Sequence, residues 1–76
     1  MITVQEEVRE FLKFKGTASK TSICDHLRTV RGTLGETVGR ELRHLVENGL
    51  VIKGRRMYEG KWYRTYALAP LDVIEL

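Results

Sequence analysis

The residues most suggestive of covalent chemistry are Cys24, Asp25 and His26, which are consecutive in the chain. A thiol beside an imidazole is the composition of a nucleophilic dyad. These residues fall in a predicted helix, however, where adjacent side chains point about 100° apart and cannot work together. His44 and the Cys24–His26 cluster also lack the spacing of a metal site. We therefore predict no enzymatic activity, no metal and no cofactor, and we see no small-molecule substrate.

Arginines at helical spacing offer a different chemistry, which is hydrogen bonding to an anion or a base edge. In the pattern TLGETVGRELRHLVEN, a turn of 100° per residue separates two faces. The predicted buried stripe is Leu34, Val38, Leu42, Leu45 and Val46. The opposite side carries Thr33, Glu36, Arg40, Arg43, His44 and Glu47, with Thr37 beside it near the N-terminal end.

Arg40 and Arg43 can therefore project toward one partner at the same time. An arginine in such a position can donate two hydrogen bonds to a guanine edge or bind a phosphate. The alternative is a solvated helix face, in which Glu36 pairs with Arg40 and Arg43 pairs with Glu47.

Cations also surround a predicted β-hairpin, whose turn is Tyr58–Lys61. The five cations are Lys53, Arg55, Arg56, Lys61 and Arg64, and the one acid among them is Glu59. Contact with phosphates is one interpretation, and protection of edge strands against aggregation is the other. Three aromatic residues of the hairpin either stack on unpaired bases or fill cross-strand pairs: Tyr58, Trp62 and Tyr63.

The net charge of +3 is concentrated in this part of the chain. Residues 28–66 hold nine bases and four acids, a net charge of +5, whereas residues 67–76 hold two acids and no base. A local excess of this kind favours an anionic partner over a general role in solubility.

The elements that must position these side chains are three helices and a hairpin. A capping box, Thr3-Val4-Gln5-Glu6, opens helix 1 over residues 4–15. Ser19 is the expected N-cap of helix 2, whose stripe is Ile23, Leu27 and Val30 and which Gly32 ends. A second capping box over residues 33–36 predicts that helix 3 starts at Leu34, with Gly35 as a weaker alternative N-cap.

After the stop at Asn48-Gly49, the strands Leu50–Ile52 and Trp62–Leu68 complete the pattern, with Tyr66 and Leu68 toward the core.

The chain of 76 residues is long enough for one domain. We place that domain at residues 1–70, with 71–76 as a tail that docks or dimerises. The single Cys24, and the lack of a membrane span or a signal-peptide pattern, predict a cytoplasmic protein.

The order of elements over residues 4–68 resembles a winged helix-turn-helix domain, an α+β fold with three helices and a C-terminal β-hairpin wing. The stretch from Val38 to Val51 looks like the recognition helix and following strand of small bacterial, archaeal and phage regulators. The resemblance implies sequence-specific binding of double-stranded DNA and transcriptional regulation, with helix 3 in the major groove and the wing on the backbone. It also favours a phage or mobile-element source and a homodimer.

On this resemblance, the expected readers are Thr37, Arg40, Arg43 and His44. The expected phosphate clamp is Arg55, Arg56, Lys61 and Arg64, and Arg31 is expected to hold the backbone near the start of helix 3. Thr33 is a further expected DNA-binding residue. The alternative function is a protein-interaction module in a transcription, replication or host-takeover complex.

Gly35 and Gly39 weaken helix 3. They serve either a close approach to DNA or close packing of helix 2.

Overall fold

The computed structural model describes residues 2–70 of the chain, so the predicted tail at 71–76 lies outside the described residues. Three helices and three strands follow one another in the order α1 (Val4–Lys15), β1 (Thr17–Ser19), α2 (Lys20–Arg31), α3 (Gly35–Glu47), β2 (Val51–Tyr58) and β3 (Lys61–Leu68). The strands form one antiparallel sheet in the order β1-β3-β2. The predicted α+β winged helix class is confirmed.

Local signals at the first two helices act as predicted. The Glu6 amide donates to the Thr3 hydroxyl and the Thr3 amide donates to the Glu6 carboxylate, each at 3.1 Å. The Ser19 hydroxyl accepts from the Ser22 amide at the start of α2. Gly32 ends α2 in the left-handed conformation, with φ of 69°, which a residue without a Cβ adopts at little cost.

The start of α3 differs from the prediction. Leu34 is an extended N-cap rather than the first helical residue, and the capping box expected from Thr33 and Glu36 does not form. The Thr33 amide instead donates to the Leu27 carbonyl at 3.3 Å, so residue 33 belongs to the turn that ends α2. The extended backbone directs Leu34 to solvent, where it is 72% exposed. Its predicted place in the core is wrong.

The core lies between the helices and one face of the sheet. It consists of Val8, Leu12, Ala18, Ile23, Leu27, Val38, Leu42, Leu45, Val51 and Tyr66. Leu68 and Val46 pack against this cluster while remaining partly exposed. Val30 was expected in the core and is 55% exposed, because the last turn of α2 extends beyond the cluster that holds Ile23 and Leu27.

The hairpin of β2 and β3 turns at two residues, as predicted. Tyr58 pairs with Lys61, and Glu59 and Gly60 between them have φ of 50° and 78°. Positive φ at both central positions is the geometry of the type I′ turn, whose twist matches that of the paired strands. This turn sets the register of the whole wing, which we define as residues 53–66.

The register assigns each side chain of the hairpin to one of two faces, because directly paired residues point to the same side. The groove face, which continues from buried Val51 and Tyr66, carries Val51, Lys53, Arg55, Met57, Trp62, Arg64, Tyr66 and Leu68. The outer face, opposite the groove face, carries Ile52, Gly54, Arg56, Tyr58, Lys61, Tyr63, Thr65 and Ala67. Within residues 2–70, no helix has the length and apolar composition that crossing a membrane requires.

Candidate nucleic-acid interface

A groove runs between α3 and the groove face of the wing. Its lining is Lys20, Gly35, Glu36, Gly39, Arg40, Arg43, Val46, Glu47, Lys53, Arg64 and Tyr66. Five of these residues are basic and two are acidic, so the lining has a net charge of +3 (5 − 2). Part of the basic excess of residues 28–66 therefore lies on one concave surface, to which Lys20 adds a further positive charge.

The helix contributes two arginines to this groove. Val38, Leu42 and Leu45 are fully buried on one side of α3, which leaves Arg40 and Arg43 on the side that faces the wing. The intrahelical pairs Glu36–Arg40 and Arg43–Glu47 do not form ion pairs. Among residues 2–70, the one carboxylate within 4.0 Å of either guanidinium is that of Glu41, 3.9 Å from Arg40.

The wing contributes a second group of cations on its groove face. Arg55 and Arg64 are direct cross-strand partners, and Lys53 lies two residues from Arg55 on the same side. Like charges directly opposite each other destabilise a hairpin. The Arg55 guanidinium lies 5.5 Å from the centre of the Trp62 ring, a cation–π contact that holds it over the groove face. No carboxylate in the described part of the chain forms an ion pair with Arg55 or Arg64.

Lys20 is a member of the groove that the sequence reasoning missed. It is the first residue of α2, and its ammonium lies 3.5 Å from the position that a Cβ on Gly39 would occupy. The missing side chain at Gly39 thus lets Lys20 lie across the backbone of α3. Two features of the sequence could have indicated this contact. They are the lysine directly after the predicted N-cap Ser19 and the two glycines of the following helix.

The two helix glycines lie on the floor of the groove. A Cβ on Gly35 would meet nothing within 4 Å, and a Cβ on Gly39 would meet only the flexible end of Lys20 at ordinary contact distance. Close packing against the body of α2 therefore does not require either glycine. The other predicted explanation, a close approach to DNA, stays a prediction.

Several predicted contact residues are not brought into the groove. Arg56 and Lys61 lie on the outer face of the wing, since they pair with Tyr63 and Tyr58 there. Arg31 donates from Nη1 to the carbonyl oxygen of Ile2 at 2.7 Å, so it ties the end of α2 to the short segment that precedes α1. DNA contact by these three residues stays a prediction from the sequence. None of them lines the groove, whereas Arg40, Arg43 and Arg64 do.

Three other predicted residues lie near the ends of the groove without lining it. Thr33 and Thr37 are half-buried at the start of α3. His44 is exposed in the last turn, with Nδ1 3.8 Å from Oε1 of Glu41. Glu41 in turn accepts a hydrogen bond from the side chain of Gln5 at 2.7 Å, which links α3 to α1.

The histidine and cysteine of α2 serve the packing of helices. The ring of His26 stacks on Phe11 with centroids 4.3 Å apart, and its Nε2 lies 3.2 Å from a carboxylate oxygen of Glu7. Cys24 packs against the core cluster. Over residues 2–70, no three His, Cys, Asp or Glu side chains come together as a set that could hold a metal ion.

Comparison with known proteins supports the fold through structure rather than sequence. No family model matches the chain, and no curated protein matches its sequence. Stf76 from the Sulfolobus islandicus plasmid-virus pSSVx has a TM-score of 0.75 and 18% identity, over 99% of this chain and 96% of its own. PadR of Bacillus subtilis in complex with operator DNA has a TM-score of 0.77 and 18% identity, over 100% of this chain and 45% of its own. The chain thus spans under half of PadR, and at this identity the likeness establishes the winged helix-turn-helix fold.

Proposed function

We propose that this chain binds double-stranded DNA with sequence preference and thereby regulates transcription. The observation that carries the proposal is the groove itself. Arg40 and Arg43 from the helix and Lys53 and Arg64 from the wing line one surface. Within residues 2–70, no carboxylate pairs with Arg43, Lys53 or Arg64, and only a distant one lies near Arg40. A solved winged helix structure of the same fold, that of PadR, contains operator DNA.

In this proposal α3 enters the major groove and Arg40 and Arg43 read base edges. Both side chains leave the helix on the side opposite its buried stripe, so they approach a partner together. Gly35 and Gly39 keep the helix backbone free of side chains at the floor of the groove. A phosphate backbone can come closer to glycine than to any other residue. Thr37 and His44, beside the groove, are the further readers.

The wing then acts as the phosphate clamp, through a set that differs from the one expected from sequence. Lys53, Arg55 and Arg64 share the groove face, and their mutual repulsion is relieved when an anion lies between them. Arg56 and Lys61 project from the other face, away from a duplex held in the groove. We therefore replace Arg56 and Lys61 by Lys53 in the proposed clamp.

The decisive experiment is selection of duplexes from a random library with the full chain, followed by binding measurements at several salt concentrations. We expect one enriched sequence, and an affinity that falls steeply as salt rises because counterions are released from the phosphates. Two enriched half-sites about one helical turn apart, 34–36 Å, support the homodimer that we also propose. Absence of enrichment together with salt-independent binding contradicts the proposal.

A protein-interaction module remains the second candidate, and exposed apolar side chains favour it. Phe14 is 83% exposed and Leu34 is 72% exposed, more than any other large hydrophobic residue of the described chain. Two results together would favour this second function over DNA binding. The first is that no duplex binds at low salt, and the second is that a protein captured by the unsubstituted chain is not captured by Phe14→Ala or Leu34→Ala.

A further inference from the structure

The outer face of the sheet carries a second concave surface, on the side opposite the groove. One side of it is formed by hydroxyl residues of β1 and the first turn of α2, and the other by Arg56, Tyr58 and Tyr63 of the wing. Its volume is about 360 Å³. Of the residues that line it, only Ala18 belongs to the core cluster.

The aromatic residues of this surface are open to solvent. Tyr58 is 62% exposed and Tyr63 is 37% exposed. Their rings meet edge to face, with centroids 6.5 Å apart and planes at 62°, so one ring does not cover the other. Tyr58 is the more exposed of the two rings, so it is the ring on which we expect a flat ligand to stack.

The charge of the surface favours an anion. Arg56 is the direct cross-strand partner of Tyr63, and Lys61 is that of Tyr58, so each ring has a cation beside it on the same face. None of the residues that line the concavity in the described part of the chain is acidic. Thr17 and Thr21 make no side-chain hydrogen bond within residues 2–70, and their hydroxyls remain available as donors.

Cations that follow a backbone, beside exposed rings on which bases stack, are the combination found in sites for single-stranded nucleic acid. We propose that the outer face binds a single-stranded polynucleotide, with a base stacked on Tyr58 and the backbone held by Arg56 and Lys61. A duplex is a poorer occupant, because its bases are stacked on one another and are not available to the rings. This site is independent of the duplex site proposed in the groove.

The test uses the full chain with a fluorescent ten-nucleotide oligomer, as DNA and as RNA of the same sequence, and follows anisotropy. We expect both oligomers to bind. A difference in affinity between the DNA and the RNA oligomer would indicate contact with the 2′-hydroxyl. Tyr58→Ala should weaken binding roughly 5-fold to 150-fold, which is the loss of one stacked base. Tyr58→Phe keeps the ring and should bind as the unchanged protein does.

Arg55→Ala and Arg56→Ala are the matched pair that distinguishes the two faces. We expect Arg56→Ala to weaken binding of the single strand, Arg55→Ala to leave it unchanged, and a saturating duplex not to displace the oligomer. Thermal unfolding followed by circular dichroism verifies that each variant is folded.

Three results overturn the inference. The first is that folded protein binds neither oligomer. The second is that binding is lost in Arg55→Ala and kept in Arg56→Ala, which places the single strand in the groove. The third is that polyglutamate of equal charge displaces the oligomer as well as unlabelled oligomer does, which makes charge alone responsible.

Discussion

Arg55 and Arg56 are neighbours in the sequence and lie on opposite faces of the wing. Arg55 pairs with Arg64 on the groove face, and Arg56 pairs with Tyr63 on the outer face. Two residues of the same type at adjacent positions thus belong to different surfaces. Substituting each in turn separates the function of the groove from that of the outer face, with the size and charge of the change held constant.

Arg55→Ala should weaken duplex binding and reduce its salt dependence, because one phosphate contact is lost. We expect the slope of log affinity against log salt to become shallower by about one. Arg56→Ala should leave that slope unchanged. Fluorescence anisotropy with the selected duplex between about 50 and 200 mM salt measures both values. Equal effects of the two substitutions would contradict the assignment of faces.

Arg64→Glu should change stability and binding in opposite directions. Opposite charges replace like charges across the hairpin from Arg55, so the free energy of unfolding should rise by about 0.2–1 kcal/mol. Duplex affinity should fall because the clamp loses a cation and gains an anion. Thermal unfolding and anisotropy of the same sample give both quantities. Arg64→Gln is the neutral control, and a variant whose binding is intact would remove Arg64 from the clamp.

Arg43 and Arg40 should determine sequence preference and not merely affinity. Alanine at either position should cost about 1–3 kcal/mol on the preferred duplex and make the selected sequence more degenerate. Lysine at the same position keeps the charge but loses the two-pronged donor, so affinity for random DNA should be retained while preference is lost. Repeating the duplex selection with each variant measures this. An unchanged selected sequence would mean that α3 does not read bases.

Gly35→Ala should stabilise the protein while weakening duplex binding. A Cβ meets nothing within 4 Å at this position. Alanine in place of glycine in the interior of a helix contributes roughly 0.5–1 kcal/mol, and we expect less at Gly35 because it is the first residue of α3. The added methyl group stands in the groove where a DNA backbone is proposed to approach. Gly39→Ala should act in the same way, because a Cβ there would meet only the end of Lys20 at ordinary contact distance. Higher stability with unchanged duplex affinity would show that the glycines have no part in binding.

Leu42→Ala and Leu34→Ala test the revised boundary of the core. Leu42 is 1% exposed and Leu34 is 72% exposed. Deleting a buried leucine side chain leaves a cavity and typically costs 2–5 kcal/mol, a large part of the total of roughly 4–11 kcal/mol expected for a domain of this length. Leu34→Ala should change the free energy of unfolding by less than about 0.5 kcal/mol. Urea denaturation measures both, and similar losses would return Leu34 to the core.

Local patterns predicted more of the fold than of the site. The capping box at Thr3, the N-cap at Ser19 and the turn at Glu59-Gly60 each depend on atoms within a few residues, and each forms as predicted. The alternation of β3 placed Tyr66 toward the core, which already puts Arg64 on the same side. Carrying this alternation through the two-residue turn would have assigned Arg55 to the groove face and Arg56 to the outer face.

The failures occur where a local pattern competes with packing. Thr33 and Glu36 have the spacing of a capping box, yet the Thr33 amide is taken by the Leu27 carbonyl of the preceding helix. Val30 has the spacing of a buried residue, yet α2 extends beyond the core at that point. In both cases the spacing is compatible with the predicted structure, and the position of the neighbouring element decides against it.

The sequence by itself determined the order and most of the limits of the elements, and the division of α3 into a buried side and an arginine side. These follow from helical period, capping and turn residues, which act over short distances along the chain. Only the tertiary structure decided that Lys20 lies over Gly39 and that helix and wing cations line one groove. Such contacts join residues far apart in the chain, so they depend on how the elements pack.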